Sequence, residues 1–184
     1  MQTCSSCLQS KSTLKNNLRC GVCENLLCKD CVQFLDENFF SFLREIPEDL
    51  KHKVYCAPCY DEKVLPVKGS YLDTLEKAKT VYVFEKKNNI PLQQRCKHQV
   101  SVEKCPDYKE ALLRLAFAAA EQSYNALVEV NMVPEKVYVN GYQSLIWSGT
   151  GYPATIFAER LEENRMKKKN EKPEPERITK KKKK

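Results

Sequence analysis

The sequence predicts an α+β chain: a small cysteine-rich finger, a small β-α-β-β domain and a disordered basic tail. Three observations carry that prediction. Eight of the ten cysteines lie in residues 4–59, all as C-x2-C pairs. Between residues 72 and 158 the apolar residues recur at strand and helix periods. After Asn164, Lys, Glu and Pro dominate, with Lys180 to Lys184 last, a composition that cannot bury a core. A length of 184 residues at 42% hydrophobic content leaves room for two such units. The expected division is a finger over 1–62 with a helical insertion over 32–52, a linker over 63–71, an α+β domain over 72–158, a C-terminal helix over 159–169 and a tail over 170–184.

The net charge of +7 is unevenly placed. Residues 1–60 are neutral and residues 61–163 carry −1, while residues 164–184 carry +8. A basic face on a folded domain is therefore not expected, and any polyanion binding is non-specific and belongs to the tail. No stretch approaches the roughly 20 apolar residues of a membrane span. Met1-Gln2-Thr3-Cys4 shows no basic region followed by an apolar run, so no secretory signal is expected. A cytoplasmic, reducing location follows, where such cysteines read as metal ligands rather than disulfides.

The finger comes first. Its spacing is Cys4-x2-Cys7-x12-Cys20-x2-Cys23-x4-Cys28-x2-Cys31-x24-Cys56-x2-Cys59. A C-x2-C turn offers two sulfurs to one zinc at low strain, and four pairs make two tetrahedral Cys4 sites. Adjacent pairs can share an ion, which would join Cys20, Cys23, Cys28 and Cys31. Alternating pairs can share instead, which staples a short chain into one unit. Within the insertion, Leu35, Phe39, Phe42, Leu43 and Ile46 fall at intervals of three and four, the pattern of an amphipathic helix. Its expected role is packing on the finger or on the second domain. Residues 60–70 contain Pro66 and Gly69 and read as a linker.

The second region follows in order. Thr80 to Phe84 is a strand by β-branched and aromatic content. Asp107 caps a helix, and Glu110 can reach back to close a capping box. The helix runs to Glu121 and buries Leu112, Leu115, Ala116 and Ala119, with Asn125 tolerant of a left-handed end. In the strand Ala126–Met132, Ala126, Val128, Val130 and Met132 face one way and Leu127, Glu129 and Asn131 the other. Asn140-Gly141 is a hairpin turn between Val137–Val139 and Ser144–Ser148. Phe157 to Lys169 is a charged helix.

The cysteine spacing resembles the FYVE-type finger, a cross-braced fold with two zinc ions. A RING finger would place a histidine where Cys23 stands, and a PHD finger one where Cys28 stands. The resemblance implies that Cys4, Cys7, Cys28 and Cys31 hold one zinc and Cys20, Cys23, Cys56 and Cys59 the other. Phosphoinositide-binding FYVE domains carry a basic R-(R/K)-H-H-C-R motif, and here the stretch is Asn16-Asn17-Leu18-Arg19-Cys20-Gly21, with Arg19 alone basic. Specific phosphatidylinositol 3-phosphate binding is thus not expected, although Lys11 and Lys15 add weak charge and Leu14 stands where the family has its membrane loop. A RING-like ubiquitin ligase is disfavoured because Ser5-Ser6 fills the first pair, where ligases present an aliphatic contact.

Residues 111–157 resemble the bacterial YbjQ-type domain, a family described as heavy-metal-binding, and the related fold of the stress sensor RcsF. The resemblance rests on the alanine-rich helix, on Asn125-Ala-Leu-Val-Glu-Val130 and on Ser148-Gly149-Thr150-Gly151, and it departs at Ser123, where the family has glycine. Cys96, His98 and Cys105 are the other soft ligands. They read as two free thiols and a surface histidine, with a disulfide or a weak extra metal site as alternatives. No nucleophile motif or phosphate loop is present. The function expected is a non-enzymatic zinc-binding interaction or adaptor protein with an unknown protein partner, and membrane targeting or ubiquitin ligation are the alternatives.

Overall fold

The structure, a computed structural model, describes residues 3–8, 18–85, 90–139 and 141–170. The tail over 171–184 and the stretch holding Lys11, Leu14 and Lys15 lie outside the described residues. Two short antiparallel ladders build the first region: β1 (Leu18–Arg19) with β2 (Leu26–Leu27), and β3 (Val32–Phe34) with β4 (Val54–Cys56).

The insertion between β3 and β4 is not the expected amphipathic helix. It is a chain of tight turns, with Phe39, Ser41 and Leu43 amides donating to Asp36, Asn38 and Phe40 carbonyls, and one 3-10 turn at Glu48–Leu50. Asp36 starts this by accepting from the Asn38 amide at 2.8 Å, a local bond that competes with the helix ladder. Pro47 stops any continuation. The apolar residues still turn inward, and Phe40 is buried with Phe39, Phe42, Leu43 and Ile46 against it.

Residues 63–71, read from sequence as a linker, are helical. Cys56 ends β4, and the chain then runs through α1 (Ala57–Cys59), a π-turn (Tyr60–Val64) and α2 (Leu65–Lys79). Pro66 stands in the first turn of α2, where its missing N–H costs nothing. Val64, Val67, Tyr71, Leu75 and Ala78 recur every three or four residues and pack on the main core, which holds the helix in place despite Gly69.

The second region is a five-stranded sheet in the order β5-β8-β9-β6, with β7 also paired to β9. Its members are β5 (Tyr82–Val83), β6 (Leu92–Arg95), β7 (Val100–Cys105), β8 (Ala126–Val139) and β9 (Tyr142–Ile156). Among the described residues only the β5–β8 pair is parallel. The sheet thus has more strands than the β-α-β-β reading, since the exposed edge strand β6 and the alternating β7 both precede the helix. Helix α3 (Tyr108–Glu121) covers one face, and α4 (Ala158–Asn170) brings Leu161 to the other.

Two details, one in β8 and one at the end of α3, depart from the sequence reading. A bulge between Val128 and Asn131 puts Glu129 at φ 54 and breaks the alternation. Leu127 and Val130 consequently share the α3 side, while Ala126 and Val128 face Leu161. The left-handed residue at the end of α3 is Ser123, at φ 64. Asn125 instead clasps Ile156, donating to its carbonyl at 3.1 Å and accepting from its amide at 2.9 Å.

The expected finger and domain share one core. A single buried cluster runs from Leu35, Phe40, Leu50 and Tyr55 through Val64 and Tyr71 to Leu115, Phe117, Leu127 and Val130. Phe42 meets Phe117 edge-on at 5.9 Å, and Tyr71 lies 5.2 Å from the same ring.

Candidate metal centres

Short turns place the eight cysteines. In the first knuckle the Leu8 amide donates to the Cys4 carbonyl and Leu8 takes φ 58; in the second, the Glu24 amide donates to the Cys20 carbonyl and Glu24 takes φ 59. These two C-x2-C pairs therefore end on a left-handed residue that curls the chain around their sulfurs. Strand β2 separates the Cys20/Cys23 knuckle from Cys28/Cys31, so neighbouring pairs face different centres. The Ser5 amide donates to the Leu26 carbonyl and brings the first knuckle to Cys28. The β3–β4 ladder returns Cys56 toward Cys20 and Cys23.

The sulfurs of Cys4, Cys7, Cys28 and Cys31 lie within 4.8 Å of one another, and so do those of Cys20, Cys23, Cys56 and Cys59. All eight are free of disulfides. Cys7 Sγ is 3.8 Å from Cys28 Sγ, and Cys23 Sγ is 3.7 Å from Cys56 Sγ. A tetrahedral zinc with bonds of about 2.3 Å sets its sulfurs about 3.8 Å apart, so both groups fit such an ion.

The thiols within each group are electrostatically unequal. Amide N–H groups of Cys7, Cys28 and Ser6 hold the Cys4 thiol at about 6, against burial. Burial raises Cys20, but the amides of Cys23, Cys56 and Val22 outweigh it and hold this thiol at about 6 too. Three other sulfurs resist ionisation: the Cys28 thiol pushes Cys31 up to about 12, and burial pushes Cys59 and Cys56 upward. One thiolate per centre forms readily and further ones crowd it, a conflict that a bound dication removes.

Arg19, the one basic residue beside Cys20, donates from Nη1 to the Glu24 carbonyl at 3.2 Å and so serves its own knuckle. Cys96, His98 and Cys105 do not gather. Among the described residues, only the two cysteine groups bring three or more His, Cys, Asp or Glu ligand atoms together. Cys96 is half-buried and hydrogen-bonds Tyr124, His98 is exposed, and Cys105 is buried, which pushes its thiol up. Both thiols are free.

Sequence reasoning missed Arg114. It pairs with Glu110 at 2.8 Å, donates to the Ser41 carbonyl at 2.8 Å and lies 4.9 Å from the Phe42 ring centre, joining α3 to the turns of the first region. Glu110 accordingly serves Arg114, while the Asp107 cap accepts from the Glu110 amide as expected. The Glu110–Arg114 spacing of four was the available signal. Among the described residues no helix is long and apolar enough to cross a membrane.

No protein-family model matches the chain, and no curated protein matches it. Among solved structures the chain is similar to a DUF74-family protein of unknown function from Pediococcus pentosaceus, at 16% identity over 42% of this chain and 98% of that one, with a TM-score of 0.30.

Proposed function

We propose that the chain is a non-enzymatic, cytoplasmic zinc-binding interaction protein. In this reading residues 1–62 form a FYVE-like cross-braced finger with two structural Cys4 zinc ions, and the sheet region is a YbjQ-like domain. The observation that carries the reading is the gathering of four sulfurs at each centre within 4.8 Å. Four thiolates fill a tetrahedral zinc and leave no position for water or substrate, so the ion supplies folding energy rather than chemistry. Each centre carries two negative charges when filled, which makes the finger acidic. With Arg19 engaged in its own turn, stereospecific phosphoinositide binding has no donor set among the described residues. The far end of the β8–β9 hairpin exposes Val133, Tyr138, Tyr142 and Leu145, apolar surface available to a protein partner.

The test is metal analysis of the purified chain, with cobalt substituted for zinc. Two ions per chain and the visible absorption of tetrahedral cobalt–thiolate centres are expected. A stoichiometry of one or none overturns the reading.

A further inference from the structure

The two centres have the same four ligands and the same pattern of exposure, with Cys7 and Cys23 on the surface, yet they are wired into the molecule differently. Cys20 and Cys56 form an apolar cluster with Leu27, flanked by Leu18, Val22, Val32 and Val54. Val22 also packs on the main core. Gly21 donates to the Val54 carbonyl, and the next residue, Tyr55, is fully buried in that core. Above all, Cys56 and Cys59 flank the first turn of the helical run from Ala57 to Lys79, whose far half packs on α3. An ion held by Cys20, Cys23, Cys56 and Cys59 therefore anchors the element that joins the first region to the sheet.

The other centre lacks such wiring. Cys4 and Cys28 are buried, but neither belongs to an apolar cluster among the described residues. Ser5, Ser6, Cys7 and Leu8 are exposed, and the bonds tying residues 3–8 to the rest include Ser5 N–H to Leu26 O and Cys28 N–H to Cys4 Sγ at 3.3 Å. Metal leaves a closed four-sulfur centre only when the centre opens locally, and opening costs more where apolar surface and helix contacts must be broken with it.

Building on the zinc reading above, we propose that the Cys4/Cys7/Cys28/Cys31 centre is an exchangeable zinc site and that the Cys20/Cys23/Cys56/Cys59 centre is the structural anchor of the whole molecule. A one-zinc state then exists in which the knuckle over residues 3–8 and its partners at 28–31 open while α2, α3 and the sheet stay packed. Zinc supply sets the shape of that one surface without unfolding the rest.

The experiment follows the full-length two-zinc chain by native mass spectrometry during a chelator titration, with hydrogen exchange of residues 108–121 as a second readout. A one-zinc species is expected to accumulate with α3 exchange unchanged, and α3 exchange rises at least about tenfold only as the second ion leaves. Cys7→Ser is expected to keep one zinc and a slow-exchanging α3, whereas Cys23→Ser loses α3 protection. Simultaneous loss of both ions from the native chain, fast α3 exchange in Cys7→Ser, or native α3 exchange in Cys23→Ser overturns the proposal. The native titration decides even if Cys23→Ser fails to fold. A starting chain holding fewer than two ions overturns the zinc reading itself, a result visible before any chelator is added.

Discussion

Ser123 holds φ 64 at the end of α3, a conformation that costs a residue with a Cβ about 1 kcal/mol and costs glycine almost nothing. Ser123→Gly is therefore expected to stabilise the chain by about 0.5–1 kcal/mol, seen as a higher urea midpoint with an unchanged slope. A lower midpoint would show that Ser123 makes contacts worth more than its strain. The cysteines set the acid limit. The Cys4 and Cys20 thiols sit at about 6, below their ordinary value of 9.0. Their ionisation stabilises the fold fully above pH 9, and this stabilisation is lost as the pH falls through about 6. Protons competing for the same sulfurs displace metal in the same direction. Zinc release, followed with a colorimetric indicator, is expected to grow as the solution is acidified; growth toward alkaline pH contradicts the assignment.

At the level of elements, the contact that matters most is between the turns after β3 and helix α3. Phe42 meets Phe117 edge-on, and Arg114 holds the Ser41 carbonyl beside them. Phe117 is 1% exposed, so Phe117→Ala is expected to cost about 3–5 kcal/mol, and half-buried Phe42 less. A double-mutant cycle of Phe42→Ala and Phe117→Ala should return a coupling of about 0.5–1.5 kcal/mol, measured by urea unfolding. A coupling near zero means that the two rings are neighbours without interacting. The opposite sheet face carries the bulge at Glu129, whose side chain is paired to Arg95 at 3.0 Å, with Arg95 stacked 4.0 Å from the Tyr152 ring centre. That clamp holds the strained residue in place.

For the whole molecule, the shared core changes what metal removal does. With separate domains, chelation would unfold residues 4–59 and leave the sheet largely intact, which is what the sequence reading implies. One buried cluster containing both Tyr55 and Phe117 predicts instead a single cooperative unfolding transition. Far-ultraviolet circular dichroism and the fluorescence of Trp147, which packs on Tyr108 in the sheet region, are expected to give coincident thermal curves. Separated midpoints would restore two independent units. The basic segment acts at this scale as well. Residues 164–184 carry +8, so the full chain should be retained on heparin with steep salt dependence, and a chain ending at Glu163 should not. Equal retention would move the site to the near-neutral folded body.

What the sequence determined by itself was local. A C-x2-C turn commits its two sulfurs within four residues, so the eight cysteines that gather at the two centres were legible at once. The Asp107 cap is an equally short-range signal, and the helix follows it; the Asn140-Gly141 signal falls partly outside the described residues, where β8 and β9 pair as far as Val139 and Tyr142. Everything decided by distant contacts was not legible. The aromatic series after β3 has helical spacing but folds as turns between the two strands of the β3–β4 ladder, its rings packed on a core containing Tyr71 and Phe117. Pro66 and Gly69 look like punctuation, yet residues 65–79 are helical because Val64, Val67, Tyr71 and Ala78 find that same core. The bulge at Glu129 serves two cores on opposite faces of one strand, and no alternation within β8 alone could announce it. Local backbone geometry is written within a few residues, whereas the burial that overrides propensity depends on partners 40 to 80 residues away, as between Ser41 and Arg114.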